Sequence, residues 1–105
     1  MSTPSDSPAP APAGPVTAAN GDALRRAIAG GEMLGIVGAP IALAAKLVER
    51  AGFDAVYLSG AAFSAGTLGV PDIGLFTRDQ LVGQTRILAR ASGLPLVVDA
   101  DTGFG

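Results

Sequence analysis

The stretch LPLVVDADTGFG (Leu94–Gly105) decides how the rest of the chain is read. Leu94, Leu96, Val97 and Val98 make an apolar run of strand length that ends on two acids and a glycine-containing turn. A strand apolar on both faces belongs in a parallel sheet covered by helices, not in a sheet with one wet face. Side chains alternate along a strand, so Asp99 and Asp101 are expected on the same side, about 7 Å apart. They also stand at the carboxyl end of the strand, where α/β folds place their ligands.

Working outward, the same grammar repeats. DALRRAIAGG has helical spacing, with Leu24 and Ile28 on one face, Asp22 as the cap and Gly30-Gly31 as the stop. MLGIVG (Met33–Gly38) is a short apolar run bounded by glycines, hence a buried strand. Pro40 then opens IALAAKLVERAG, in which Ile41, Ala44, Ala45 and Val48 share a face and Gly52 ends the helix. Ala55–Leu58 reads as a second buried strand. AAFSAGTLGVPDIGLF, residues 61–76, reads as a loop. Thr77 caps a long helix with Leu81, Ile87 and Leu88 on its apolar face and Gly93 at its close. Strand, helix, strand, helix, strand is an α/β pattern that suits either a (β/α)₈ barrel of the TIM type or a doubly wound sheet. The dinucleotide fingerprint G-x-G-x-x-G is not supplied by GIVGAP, which weakens the second option. A barrel takes about 250 residues, so residues 20–105 would hold its first three βα units, with open sheet edges and an uncovered inner face.

Composition sets further bounds. Residues 1–19 hold most of the prolines, no Lys or Arg and almost no large apolar residue, the profile of a disordered tail. They lack the basic start and apolar core of a secretory signal and the arginines of a transit peptide. The longest uncharged runs are broken by Gly, Pro, Ser and Thr, short of the roughly 20 apolar residues a membrane helix needs. A soluble, cytoplasmic protein is expected, with no membrane partner. The net charge is −2, and the seven Lys and Arg form no stripe, which argues against a nucleic-acid partner. The absence of Cys and His removes thiol nucleophiles, thiolate zinc sites and any Ser-His-Asp triad. Chemistry is left to carboxylates, hydroxyls, Lys46, Tyr57 or an oxygen-ligated metal.

Two carboxylates as close as Asp99 and Asp101 repel unless a proton or a cation lies between them. Mg²⁺ is suited to the place, since it takes one or two carboxylates, keeps several waters and borrows oxygens from substrate. The alternative is structural, with Asp101 capping the turn and Asp99 making an ordinary hydrogen bond. Other motif matches fail on Phe104, which stands where an EF-hand loop needs glycine and where the D-T-G of aspartic proteases is followed by a small residue.

The strings YLSG, LGVPDIG and DADTGFG, in this order and spacing, strongly resemble the isocitrate lyase/phosphoenolpyruvate mutase superfamily, from about Asp22 to Gly105. Within it the methylisocitrate lyase family is nearest. The resemblance implies a (β/α)₈ barrel, Mg²⁺ and a homotetramer acting on a small di- or tricarboxylate. It implies that Tyr57 and Asp72 belong to the catalytic machinery and that Ser59, Gly60 and Ala61 hold a substrate carboxylate through hydroxyl and backbone amides. Ala61 replaces a glycine common in the family, though alanine still supplies the amide. Asp99 and Asp101 match the metal-binding pair. The implied reaction is a retro-aldol-like cleavage of 2-methylisocitrate to pyruvate and succinate. In the family, a cysteine in a lysine-cysteine-glycine-histidine loop after the fourth strand protonates the leaving fragment. That loop is absent here, so these 105 residues are expected to be a fragment that folds poorly and is inactive alone. A phosphonate or phosphoenolpyruvate mutase, an oxaloacetate hydrolase-like enzyme and an inactive truncated product are the alternatives. Limited proteolysis should remove residues 1–19 without loss of secondary structure by circular dichroism; protection of Pro8 to Pro15 would contradict the tail reading.

Overall fold

The computed structural model describes residues 19–104. The tail proposed for residues 1–19 therefore lies outside the described residues, apart from Ala19, which begins the first helix. The elements run α1 (Ala19–Ala29), β1 (Ile36–Gly38), α2 (Ala42–Arg50), β2 (Ala55–Leu58), a π-helix (Ala62–Leu68), α3 (Arg78–Ala91) and β3 (Leu96–Val98). The three strands form one sheet in the order β1-β2-β3, and both pairings are parallel. Val56 stands opposite Val37 on one side and Leu96 on the other. Among the described residues no helix is long and apolar enough to cross a membrane.

The core lies between the sheet and the helices α2 and α3. Val56 and Leu58 in β2 are almost fully buried and join Ala45 and Val48 of α2 and Leu81 and Leu88 of α3 in one cluster. Alternation along the strand sends Tyr57 to the opposite face, where it is half-buried. Strand β2, with a neighbour on each side, is the best buried. The outer edges of β1 and β3 have no partner among the described residues, and Ile28, Ile41 and Ile87, expected on apolar faces, are 60%, 44% and 51% exposed.

Local sequence explains the helix ends. Thr77 Oγ1 accepts the Gln80 N–H at 3.1 Å and Gln80 Oε1 accepts the Thr77 N–H at 2.8 Å, a complete capping box at the start of α3. Gly52, at φ 88°, turns the chain out of α2 through a conformation that other residues avoid. Asp22 does not cap α1. The helix begins three residues earlier, and Asp22 lies in its first turn, 3.1 Å from Arg25 in an exposed pair that contributes little. Pro40 does more than precede α2: its carbonyl accepts both Gln84 Nε2 of α3, at 2.6 Å, and Thr67 Oγ1 of the π-helix, at 3.2 Å.

Three further expectations are corrected. Strand β1 begins at Ile36, not Met33, because the chain entering β2 reaches its neighbour only at Gly35, whose carbonyl accepts from Asp54 and Ala55. Met33, with nothing to pair against, is 97% exposed. Residues 61–76 are not all loop. Ser59 Oγ accepts the Ala62 N–H, the wide turns of the π-helix follow, and Gly69 at φ 68° ends them as the Val70 N–H donates back to Ser64 O. Finally, β3 ends at Val98. The Asp99 N–H still donates to Leu58 O at 3.0 Å, but Asp101 has φ 50° and is not extended, so the two acids do not alternate along a strand.

Leu58→Ala should lower stability by about 2–5 kcal/mol through lost burial and the cavity left behind. Gln84→Leu should cost about 1 kcal/mol for its hydrogen bond to Pro40. Urea denaturation of the two variants checks this order, and a reversed ranking would show that the Pro40–Gln84 tether outweighs the core.

Candidate active site

Because β2 and β3 are parallel, their carboxyl ends open on the same side of the sheet. There the segment after β2, the turn after β3 and the stretch before α3 meet around a cavity of about 310 Å³. It is lined by Gly60, Asp72, Ile73, Gly74, Phe76, Asp99 and Asp101.

Asp99 is held at both oxygens. Its Oδ2 accepts the Gly60 N–H at 3.2 Å and its Oδ1 accepts the Asp101 N–H at 3.0 Å. The second bond is the Asx turn that bends the chain away from the sheet. A Cβ on Gly60 would come 3.0 Å from Asp99 Oδ2, so a larger residue there would make that carboxylate give by a few tenths of an ångström. Gly74, at φ 75°, brings the preceding loop beside Asp101: a Cβ there would lie 4.0 Å from Asp101 Oδ2. The loop itself is tightened by the Ile73 N–H, which donates to Pro71 O at 3.0 Å.

The lining carries three carboxylates and no basic side chain. Among the described residues, the only ion pair is the distant Asp22–Arg25. A carboxylate has about four lone-pair positions, and Asp99 uses one on each oxygen for the two amides. Acceptors are therefore in excess, which favours a ligand that brings positive charge. The set is all oxygen, suited to a hard cation such as Mg²⁺ and not to a thiolate or imidazole metal. Among the described residues no group of three or more His, Cys, Asp or Glu side chains is close enough to hold a metal by itself.

Of the residues expected in the site, Gly60, Asp72, Asp99 and Asp101 come together. Tyr57, Ser59 and Ala61 do not line this cavity. Tyr57 stays within the strand, where its carbonyl accepts the Ala39 N–H. Ser59 Oγ caps the following helical turn, and Ala61 is exposed in that turn. The Gly60 N–H, expected to face a substrate carboxylate, is engaged by Asp99 in this structure. Ile73, Gly74 and Phe76 were not anticipated. A signal for Phe76 was present: it directly precedes the Thr77 cap, and Leu81 stands four residues past the cap, the spacing of a hydrophobic staple. Both are buried in the same cluster. A larger cavity of about 560 Å³ runs along α3 beside the free edge of β3, but it is mostly apolar and holds no carboxylate.

Comparison with known proteins places the chain in a family. Residues 24–105 match the model of the family described as phosphoenolpyruvate phosphomutase. The chain is 48% identical over 85 residues to the 2-methylisocitrate lyase of Salmonella typhimurium, covering 81% of this chain and 29% of that protein. It superposes on the crystal structure of phosphoenolpyruvate phosphomutase from Streptomyces platensis subsp. rosaceus with a TM-score of 0.75 at 40% identity, covering 80% of this chain and 29% of that one. A phosphonopyruvate hydrolase solved as a complex with oxalate and Mg²⁺ gives a TM-score of 0.73 at 33% identity, covering 82% and 30%. The chain thus spans less than a third of the length of the relatives it matches. With its α/β fold, parallel sheet and acidic strand ends, the chain belongs to the phosphoenolpyruvate phosphomutase family of the isocitrate lyase/phosphoenolpyruvate mutase superfamily.

Proposed function

We propose that these residues form the metal-binding side of the active site of a carbon–carbon lyase that cleaves 2-methylisocitrate to pyruvate and succinate within a (β/α)₈ barrel. The observation that carries the reading is the convergence of Asp72, Asp99 and Asp101 on one cavity at the carboxyl ends of parallel strands. The similarity to the Salmonella lyase supports the choice of substrate.

Asp99 and Asp101 would hold the ion, with Asp72 across the cavity. When bound, Mg²⁺ supplies Lewis-acid polarisation of the substrate's hydroxyl and carboxylate oxygens and offsets the charge gathered there. The chain's own residues prepare that encounter. The Gly60 and Asp101 amides fix the Asp99 carboxylate in one orientation, so little reorganisation is left for the moment of binding. Ser59 and Ala61, beside Gly60 in sequence, would meet the substrate carboxylate with a hydroxyl and a backbone amide, and Tyr57 would approach from the inner face of β2. Loss of the 2-hydroxyl proton then lets the carbon–carbon bond break: pyruvate leaves as the oxo acid, and the electron pair stays on the succinate fragment. The proton that completes succinate comes from outside these residues' thiols or imidazoles, for they have none.

A second reading, phosphoryl rearrangement or hydrolysis of a phosphonate, draws on the likeness to the Streptomyces mutase and the oxalate-bound hydrolase. Supplying each substrate in turn to the protein expressed from its complete reading frame separates the two. Release of pyruvate from 2-methylisocitrate, abolished by EDTA and restored by Mg²⁺, is the expected outcome, and turnover of phosphonopyruvate alone would replace the lyase reading.

Asp99→Ala should weaken Mg²⁺ binding by at least about tenfold, since even the outer partners of a metal site contribute that much. Activity should collapse with the fold unchanged. Gly60→Ala should act in the same direction by pushing Asp99 out of place. Near-normal turnover of Asp99→Ala at ordinary Mg²⁺ would show that the metal sits elsewhere.

A further inference from the structure

Phe104 has no task in the function proposed above, yet its backbone is costly. Among the described residues, Asp101 and Phe104 are the non-glycine residues with positive φ, at 50° and 63°. Aspartate tolerates the left-handed region because its short polar side chain bonds locally. A bulky aromatic there is an outlier that persists only where the surroundings hold it.

What holds it is another ring. Phe104 lies 5.9 Å from Phe76 at an interplanar angle of 56°, and Phe76 in turn packs edge-on against Phe63, 5.1 Å away at 70°. Phe63 and Phe76 are 2% and 6% exposed, and Phe104 packs against the core cluster they belong to. Phe76 also lines the acidic cavity, on the segment that carries Asp72. The turn after β3 is thus fastened at both ends. Asp99 is tied to Gly60 at the near end, and the Phe104 ring is seated on Phe76 at the far end. Between them the Gly103 N–H donates to Ala100 O at 2.8 Å. Relaxing φ of Phe104 to the ordinary negative range would swing the ring off Phe76.

We propose that Phe104 is a positioning residue: its ring, seated on Phe76, holds the Asp99–Gly103 turn so that Asp101 faces the segment carrying Asp72 and Gly74. The inference rests on the reading of the acidic cavity as a metal centre and names what fixes its geometry.

The test compares the parent, Phe104→Tyr and Phe104→Gly in the protein expressed from its complete reading frame. Glycine suits the left-handed backbone and removes only the ring, so far-UV circular dichroism should not change. Titration with Mn²⁺, followed by electron paramagnetic resonance, should show Phe104→Gly binding about tenfold or more weakly and Phe104→Tyr binding like the parent. Hydrogen exchange gives a readout independent of metal. The Asp101 and Gly103 amides, both bonded within the turn, should lose protection in Phe104→Gly, while the Val56 and Asp99 amides of the strand ladder keep theirs. A parent that binds no Mn²⁺ overturns the metal reading, and the exchange data still decide the role of the ring. Parent-like Mn²⁺ affinity or parent-like protection in Phe104→Gly overturns the proposal, as does a tyrosine variant that behaves like the glycine one. Global unfolding of Phe104→Gly would overturn it too, since Phe104 would then be supporting the whole fold and not the turn.

Discussion

The carboxylate of Asp99 accepts one N–H from Gly60 and another from Asp101, and these two bonds join parts of the chain 39 residues apart to a local turn. Without the first, the ends of β2 and β3 would be neighbours only through the sheet ladder. Without the second, the chain past Val98 would lack the bond that turns it toward the cavity. Gly60 makes the arrangement possible, because any side chain there would press against the oxygen it is meant to hold. The Asp99 carboxylate is first a structural acceptor, and its remaining lone pairs are the ones on offer to a ligand.

The scaffold behind this contact is organised to keep it still. Val56 and Leu58 anchor the central strand against α2 and α3, and the Pro40 carbonyl ties the end of β1 to both the π-helix and α3. Glu49 adds a further tether, accepting the Gly93 N–H at 2.7 Å and so joining the end of α2 to the turn that leads into β3. Each of these contacts holds a segment that leads into or out of the sheet. This is the usual division of labour in α/β folds, with a rigid frame below and functional loops above.

What the sequence made legible was local. Thr77 and Gln80 declare the start of α3 because a capping box is written within four residues, and Ala55–Leu58 declares itself because an apolar run lies between a turn and a glycine. What it hid depended on partners. The length of β1 is set by where β2 begins, which Met33 and Leu34 cannot reveal. The π-helix was missed because its wide turns leave no 3.6-residue repeat, and Gly66 and Gly69 read as loop. Asp99 and Asp101 both line the cavity, but a turn and not strand alternation brings them there. Gly74 and Phe76 went unnoticed because neither carries chemistry of its own. They matter through what they touch.

Clustering Asp72, Asp99 and Asp101 around one cavity has an electrostatic cost that no neighbouring base offsets among the described residues. The segments bearing them are joined by few bonds of their own. Gly60 holds one, the aromatic contacts of Phe76 hold another, and the left-handed geometry of Asp101 and Phe104 works against both. A cation held by one or two of the carboxylates would relieve their repulsion with the Asp72 loop and the turn after β3 in place, so its binding energy would add to the stability of this arrangement. Metal binding and the closure of the turn are then one equilibrium seen from two sides.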